Sequence, residues 1–216
     1  MSKDRKTTIA DAALELLAAS GARGLTHRAV DAWAGLPDGS TSSCCRTRLD
    51  LVTLALNRHA TRNLEELGED GARLVSGEPS LERFIDLLVD RLDDWMSPAK
   101  RSRVVSQIEI FLIASREPSL QKVVEGVHQH FVDATVQALR YVGVVDTDRI
   151  AMGLIATVDG ILHGQVVNGH MRPDRKTCRA ILMRAAADRC QPGPLNPARK
   201  AKRLALGDGE PQTQGT

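Results

Sequence analysis

Residues 38–48 read Asp38-Gly39-Ser40-Thr41-Ser42-Ser43-Cys44-Cys45-Arg46-Thr47-Arg48, a run of short hydroxyl side chains closed by two guanidinium groups. A hydroxyl both donates and accepts, so Ser40, Thr41, Ser42 and Ser43 suit contact with base edges in a DNA major groove. Gly39 lets a backbone approach closely, and Asp38 stands beside it in a turn. Arg46 and Arg48 suit phosphate. Upstream, Thr26 is placed to cap a helix that begins with His27 and Arg28, and amides at a helix start attract phosphate. The expected DNA-facing set is therefore Thr26, His27, Arg28, Asp38, Gly39, Ser40, Thr41, Ser42, Ser43, Arg46 and Arg48.

Other groups could do different chemistry. Asp159 and His163 stand four apart on the most apolar stretch of the chain, as a core pair, a ligand-orienting pair or a catalytic pair. Glu125 and His128 form one Glu-x-x-His, whereas a di-metal bundle needs two such motifs and further carboxylates. His128 and His130, two apart on a helix, point to different sides and make no chelate. No nucleophile elbow, phosphate loop or zinc-protease motif occurs. No metal or cofactor is expected. A helical enzyme using Asp159, His163 and Glu125 stays as an alternative, as does a redox-responsive regulator using Cys44 and Cys45. Adjacent cysteines on a helix diverge, however, and disulfide geometry is restrictive. With Cys178 and Cys190 there are four cysteines, without CxxC spacing, which points to a reducing, cytoplasmic setting rather than a disulfide scaffold.

The elements that must carry these residues read as helices. The 216 residues are 42% hydrophobic and 26% charged, enough for a packed core, and the net charge of +2 does not by itself point to nucleic acid. Ile9, Ala12, Ala13, Leu16 and Leu17 lie at helical spacing, and Gly21 should end that helix. A short helix follows from His27 to Ala34 with Val30 and Trp33 inward. Gly35 and Leu36-Pro37-Asp38-Gly39 form a turn. A second short helix spans about Asp38 to Cys45, and Thr47 caps a fourth. Beyond about Gly68 the character changes, and Gly71, Gly77 and Pro79 suggest a linker. Longer helices follow, broken at Ser97-Pro98, Glu117-Pro118 and Gly143. The stretch from about Asp148 to Gly169 is apolar nearly all round and should be buried on every side. A last helix runs from Asp174 to about Arg189 with Ile181, Leu182 and Ala185 inward. No run of 18 uninterrupted apolar residues occurs, so no membrane partner is expected. The expectation is an all-α chain with a head at 1–60, a helical body at 61–190 and a disordered tail at 191–216, whose Arg199, Lys200, Lys202 and Arg203 read mainly as solvated.

A short helix, a glycine turn and a hydroxyl-rich helix form a helix-turn-helix pattern. The runs Leu25-Thr26-His27-Arg28-Ala29-Val30, Ala34-Gly35-Leu36-Pro37-Asp38-Gly39-Ser40-Thr41-Ser42 and Arg46-Thr47-Arg48 resemble the DNA-binding head of the tetracycline-repressor (TetR) family, most strongly from Ile9 to Leu56. Ile108 to Leu120, with Arg116-Glu117-Pro118, also resembles one branch of that family. The resemblance implies a homodimer, a palindromic double-stranded DNA operator and induction by a small molecule. One departure is clear. Where the family usually carries aromatics late in the reading helix, this chain has Ser43, Cys44 and Cys45, so Cys45 is expected to plug the head's core.

In the body, Gly153, Gly160 and Gly164 recur at i, i+7 and i+11 and leave a flat strip for close helix approach. With Ile181 and Leu182 of the last helix, that strip is the expected dimer interface. Trp95, Phe111, Ser115, His128, Phe131, Ile155, Asp159 and His163 are the expected ligand-pocket residues, favouring a largely apolar inducer with one or two polar handles. A ligand-free architectural dimer is the remaining rival.

Overall fold

A computed structural model of the chain describes residues 3–169 and 172–187. The predicted tail, its basic cluster and Cys190 lie outside the described residues. All regular structure among the described residues is helical.

Helix α1 (Lys3–Gly24) buries Ile9, Ala12, Ala13, Leu16 and Leu17 along one face. Gly21 interrupts the helical backbone as expected, at φ 63° and ψ −169°, a positive φ that favours glycine, and a last helical turn follows it to Gly24. Helix α2 (His27–Trp33) starts at Thr26, whose Oγ1 accepts from the Ala29 amide at 3.1 Å. Trp33 faces outward, 54% exposed, against expectation. The inward face of α2 is set by Val30 and Asp31. At 100° per residue, Trp33 falls well off that face. Helix α3 (Ser40–Cys44) follows the Gly39 turn.

Helix α4 (Arg48–Val75) opens on a capping box between Thr47 and Asp50. It runs unbroken through Gly68 and Gly71, so the expected boundary at residue 60 lies inside a helix and the predicted linker contracts to the segment after Val75. Two interior glycines cost a helix about 1 kcal/mol each. Here Ala60, Asn63, Asp70 and Leu74 are buried along the same helix, and that packing holds it.

The body continues with α5 (Leu81–Trp95), a 3-10 turn (Pro98–Lys100), α6 (Arg101–Ala114), α7 (Pro118–Tyr141), α8 (Thr147–Val167) and α9 (Arg175–Ala187). Two apolar cores form. One joins α1, α2 and the start of α4 to Ile110, Ala114 and Leu120, so α6 and α7 floor the head. The other joins the end of α4 and α5 through α9.

Helix α8 corrects an expectation. It is long and apolar enough to cross a membrane by length and composition, yet only 22% of its most apolar window is buried. Ile150, Ala151, Leu154 and Leu162 enter the core, while Met152, Gly153, Ala156 and Gly160 are exposed. Low hydropathy contrast around a helix therefore did not mean burial all round. On α9, Leu182 is fully buried in the body core and has no surface to offer a partner, whereas Ile181 is 39% exposed.

Candidate DNA-reading head and ligand cavity

The head is organised by a residue that the motif reading passed over. Asp31 is buried on α2 and its carboxylate receives the turn: Oδ2 accepts from the Gly39 amide at 2.9 Å, and Oδ1 from the Thr41 amide at 2.8 Å and the Thr41 hydroxyl at 2.6 Å. Burial alone would raise its carboxyl, but the hydrogen bonds from Thr41 and Gly39 outweigh it and hold the group below the usual carboxylate range. Gly39 takes φ 87°, which lets the chain turn into α3. An aspartate beside the inward-facing Val30, ahead of a hydroxyl-rich turn, was the available sequence signal.

This geometry sorts the expected DNA-facing residues. Thr41 is fully buried and committed to Asp31, so it cannot reach a base. His27 also turns inward: its Nε2 donates to the Cys45 carbonyl at 2.8 Å and ties α2 to the end of α3. Thr26 is exposed, with its hydroxyl oxygen spent on the cap. Ser43 Oγ donates to the Gly39 carbonyl at 2.9 Å. Arg48 Nη2 donates to the Ala22 carbonyl, so part of its guanidinium serves the fold. Arg28, Asp38, Gly39, Ser42 and Arg46 are exposed and Ser40 is half-buried. Ser40, Ser42, Arg28 and Arg46 are thus left as the outward donors of the set.

Cys45 is 3% exposed in the head core, as its role as a plug requires. Burial, then neighbouring Cys44, pushes its thiol up to about 12. Thiolate is the species that oxidises, so this environment is unfavourable to a redox switch.

The body is hollow. A cavity of about 320 Å³ lies between α4, α5, α6, α7 and α8. It brings together six of the eight expected ligand residues: Trp95, Phe111, His128, Phe131, Ile155 and Asp159. The other two stand outside its lining. Ser115 is exposed at the end of α6, its hydroxyl donated to the Leu112 carbonyl at 2.9 Å. His163 is half-buried one turn beyond Asp159 and acts on it only through charge. Desolvation raises the Asp159 carboxyl above its ordinary value, while His163 and His128 pull it down. Among the described residues no group of three or more His, Cys, Asp or Glu could hold a metal.

The sequence reading missed the α4 wall. His59 and Asn63 line the cavity with Gln107 of α6. They continue the buried stripe of Leu51, Ala55 and Leu56, and polar residues on an apolar helix face were the signal. Behind them Glu66 accepts from Arg103 Nη1 at 2.7 Å, Lys100 Nζ at 2.9 Å and Trp95 Nε1 at 2.5 Å. Burial would raise Glu66, but hydrogen bonds from Arg103, Trp95 and Lys100 hold it at about 2. The network fixes Trp95 in the cavity wall.

Head and cavity share one helix. Gln107 and Phe111 of α6 face the cavity. Between them, Glu109 Oε2 accepts from the Ala22 amide at 3.1 Å, just past the kink of α1.

A helix-turn-helix head joined to a hollow helical body is the architecture of a DNA-binding transcriptional regulator. Residues 79–188 match the family model described as the C-terminal domain of tetracyclin repressor-like proteins, and the chain belongs to the TetR family. Solved structures share the fold over most of the chain. A transcriptional regulator from Rhodococcus sp. Rha1 is 20% identical, with TM-score 0.69 over 84% of this chain and 93% of that one. A TetR-family member from Streptomyces coelicolor A3 is 27% identical, with TM-score 0.64 over 84% and 98%. The multidrug binding protein EbrR, solved with ethidium, is 25% identical, with TM-score 0.67 over 86% and 99%. No functionally curated protein matches the chain.

Proposed function

We propose that this protein is a homodimeric repressor that binds a palindromic operator and is released from it by a small, largely apolar inducer. The observation that carries the reading is the double duty of α6, whose Phe111 faces the cavity while Glu109 holds the Ala22 amide in the head. A ligand that fits one setting of α6 better than another biases the head by that difference in affinity, and such couplings are typically about 1–3 kcal/mol. The apolar walls favour an apolar ligand, and a volume of this order suits a small molecule. EbrR, a multidrug binding protein of similar fold solved with ethidium, supports small-molecule binding by this chain.

The dimer reading draws on the exposed face of α8. A Cβ added at Gly153, Gly160 or Gly164 would meet nothing within 4 Å. Met152 and Ile181 are exposed as well. Such a flat, partly apolar face suits close helix packing against a second copy. Two heads would then read half-sites about 34–36 Å apart.

The test is operator selection from random DNA, followed by fluorescence anisotropy on the selected duplex. A palindromic site bound by two chains, and released by a compound that raises the melting temperature, is the expected result. Selection that yields no palindrome, or ligands that stabilise the protein without releasing DNA, would overturn the reading.

A further inference from the structure

Two polar groups in the cavity wall are left short of hydrogen bonds, and together they specify more than an apolar ligand. We propose that the cavity selects lipophilic organic cations and hydrogen-bond acceptors through separate groups: the Asp159 carboxylate binds the charge, and His59 Nδ1–H meets the acceptor. A ligand carrying both features satisfies both. The proposal rests on the ligand-binding reading above.

Asp159 sits in the cavity wall with no hydrogen bond among the influences on its carboxyl. The charged groups that act on it are His163 on its own helix and His128 of α7, and Glu125 of α7 also lines the cavity. The lining from α4, α5 and α6 adds His59, Asn63, Trp95, Gln107 and apolar side chains, and no Lys or Arg lines the cavity. Lys100 and Arg103, the nearby cations, are spent on Glu66. A desolvated carboxylate offset only by two imidazoles, with no hydrogen bond, is costly, and a bound cation relieves that cost. A small metal ion would need several oxygen or nitrogen ligands, and no such cluster occurs among the described residues. A large organic cation sheds its hydration more readily and gains from aromatic faces, here Trp95, Phe111 and Phe131.

The tautomer of His59 follows from its neighbours. Arg103 Nη2 donates to Asn63 Oδ1, which turns Asn63 Nδ2 toward His59 Nε2 at 3.0 Å. Nε2 therefore accepts, and the ring proton sits on Nδ1. That Nδ1 is buried and has no hydrogen-bond partner. Gln107, also in the cavity wall, is close enough to draw on the ring and favour its protonated form, but it does not reach hydrogen-bonding geometry at Nδ1. Burial, then the Arg103 guanidinium, lowers His59 to about 4, so the ring stays neutral and does not repel a cation.

The two roles separate with a matched pair of probes. N-methylacridinium is a fixed cation whose nitrogen has no lone pair to offer. Acridine, uncharged at pH 8, has the same three rings and an accepting nitrogen. Binding is read by calorimetry on the full chain without DNA. Asp159→Asn should weaken N-methylacridinium about tenfold or more and acridine about twofold or less. His59→Phe should do the reverse, weakening acridine about fivefold and sparing N-methylacridinium. In the wild type, N-methylacridinium affinity should fall as pH is lowered and Asp159 takes up a proton. If His59→Phe does not fold, the wild-type ¹⁵N resonance of His59 Nδ1 substitutes, shifting with acridine and not with N-methylacridinium. Equal losses on both probes, a flat pH profile, or no binding of either probe to the wild type would overturn the proposal. Operator anisotropy is measured separately, so a failure of the regulator reading shows there and leaves the calorimetry interpretable.

Discussion

Asp31 and Thr41, ten residues apart and both buried, are joined twice: one carboxylate oxygen accepts from both the hydroxyl and the amide of Thr41. This pair sets the pitch of α3 against α2. Thr41→Val keeps the shape and removes the hydroxyl, and should cost about 1.5–3 kcal/mol in urea unfolding, with loss of operator binding. Thr41→Ser should recover most of both. Asp31 has a depressed folded pKa, so its stabilisation is present above the unfolded value near 3.9 and is lost as pH falls through the lower folded value. The stability gap between wild type and Asp31→Asn should therefore be widest near neutrality and close in strong acid. A gap that does not depend on pH would show that the charge of Asp31 is irrelevant.

Arg28 and Arg46 are exposed on the head, whereas Arg48 is tied to the Ala22 carbonyl. Arg28→Ala and Arg46→Ala should each lower the salt slope of operator binding by about one unit and leave the melting temperature unchanged. Arg48→Ala should lower the melting temperature too. Equal melting curves for all three would remove the structural role of Arg48.

Ser42 is exposed on α3 and its side chain is not used to hold the turn. Ser42→Ala should alter preference at one base position by about 1–3 kcal/mol. Repeating the selection with the variant measures this directly. Uniform weakening on every sequence would assign Ser42 to the DNA backbone.

Gly160 has open space where a Cβ would stand. Gly160→Leu should leave the fold of one chain intact, as helicity and melting under dilute conditions will show. Sedimentation should then find a monomer that binds the operator far more weakly. An intact dimer with normal binding would move the interface elsewhere.

Trp33 is exposed on the head and Trp95 lines the cavity, and the chain has just these two tryptophans. In a Trp33→Phe variant, emission should come from Trp95 alone. A ligand in the cavity should quench or shift it, and Phe131→Ala should weaken that response while operator binding stays near wild type. Release of DNA without any change in Trp95 emission would place the ligand elsewhere.

Much of this was legible in residue types and spacing. The apolar stripes carried the helices, and the hydroxyl-rich turn carried the head. Trp95, Phe111, Phe131 and Ile155 were found because bulky side chains on inward stripes must meet, and His128 and Asp159 as polar groups among them. The errors share a cause, which is that periodicity shows that a face is buried and not what it is buried against. Trp33 lay off a face defined by a buried aspartate. Thr41 looked like its serine neighbours until Asp31 claimed its hydroxyl. Leu182 and Ile181 are adjacent, yet one is in the core and the other is exposed. Ser115 followed the α6 stripe past the end of the cavity. His59 was missed because a polar residue on an apolar stripe reads as an exception rather than as a wall.

The floor beneath the head has a practical consequence for protein engineering. Ile110, Ala114 and Leu120 belong to the core that also contains Leu17, Leu25 and Leu56. A fragment cut at residue 60 would bare that core to water and sever α4 midway. The head is thus not a detachable cartridge. A chimera that grafts residues 1–47 onto another regulator should also carry the matching side chains of α6 and the start of α7, including Glu109 for the Ala22 amide. Exchange of reading heads between relatives should succeed or fail on those few positions, all of which lie outside the helix-turn-helix.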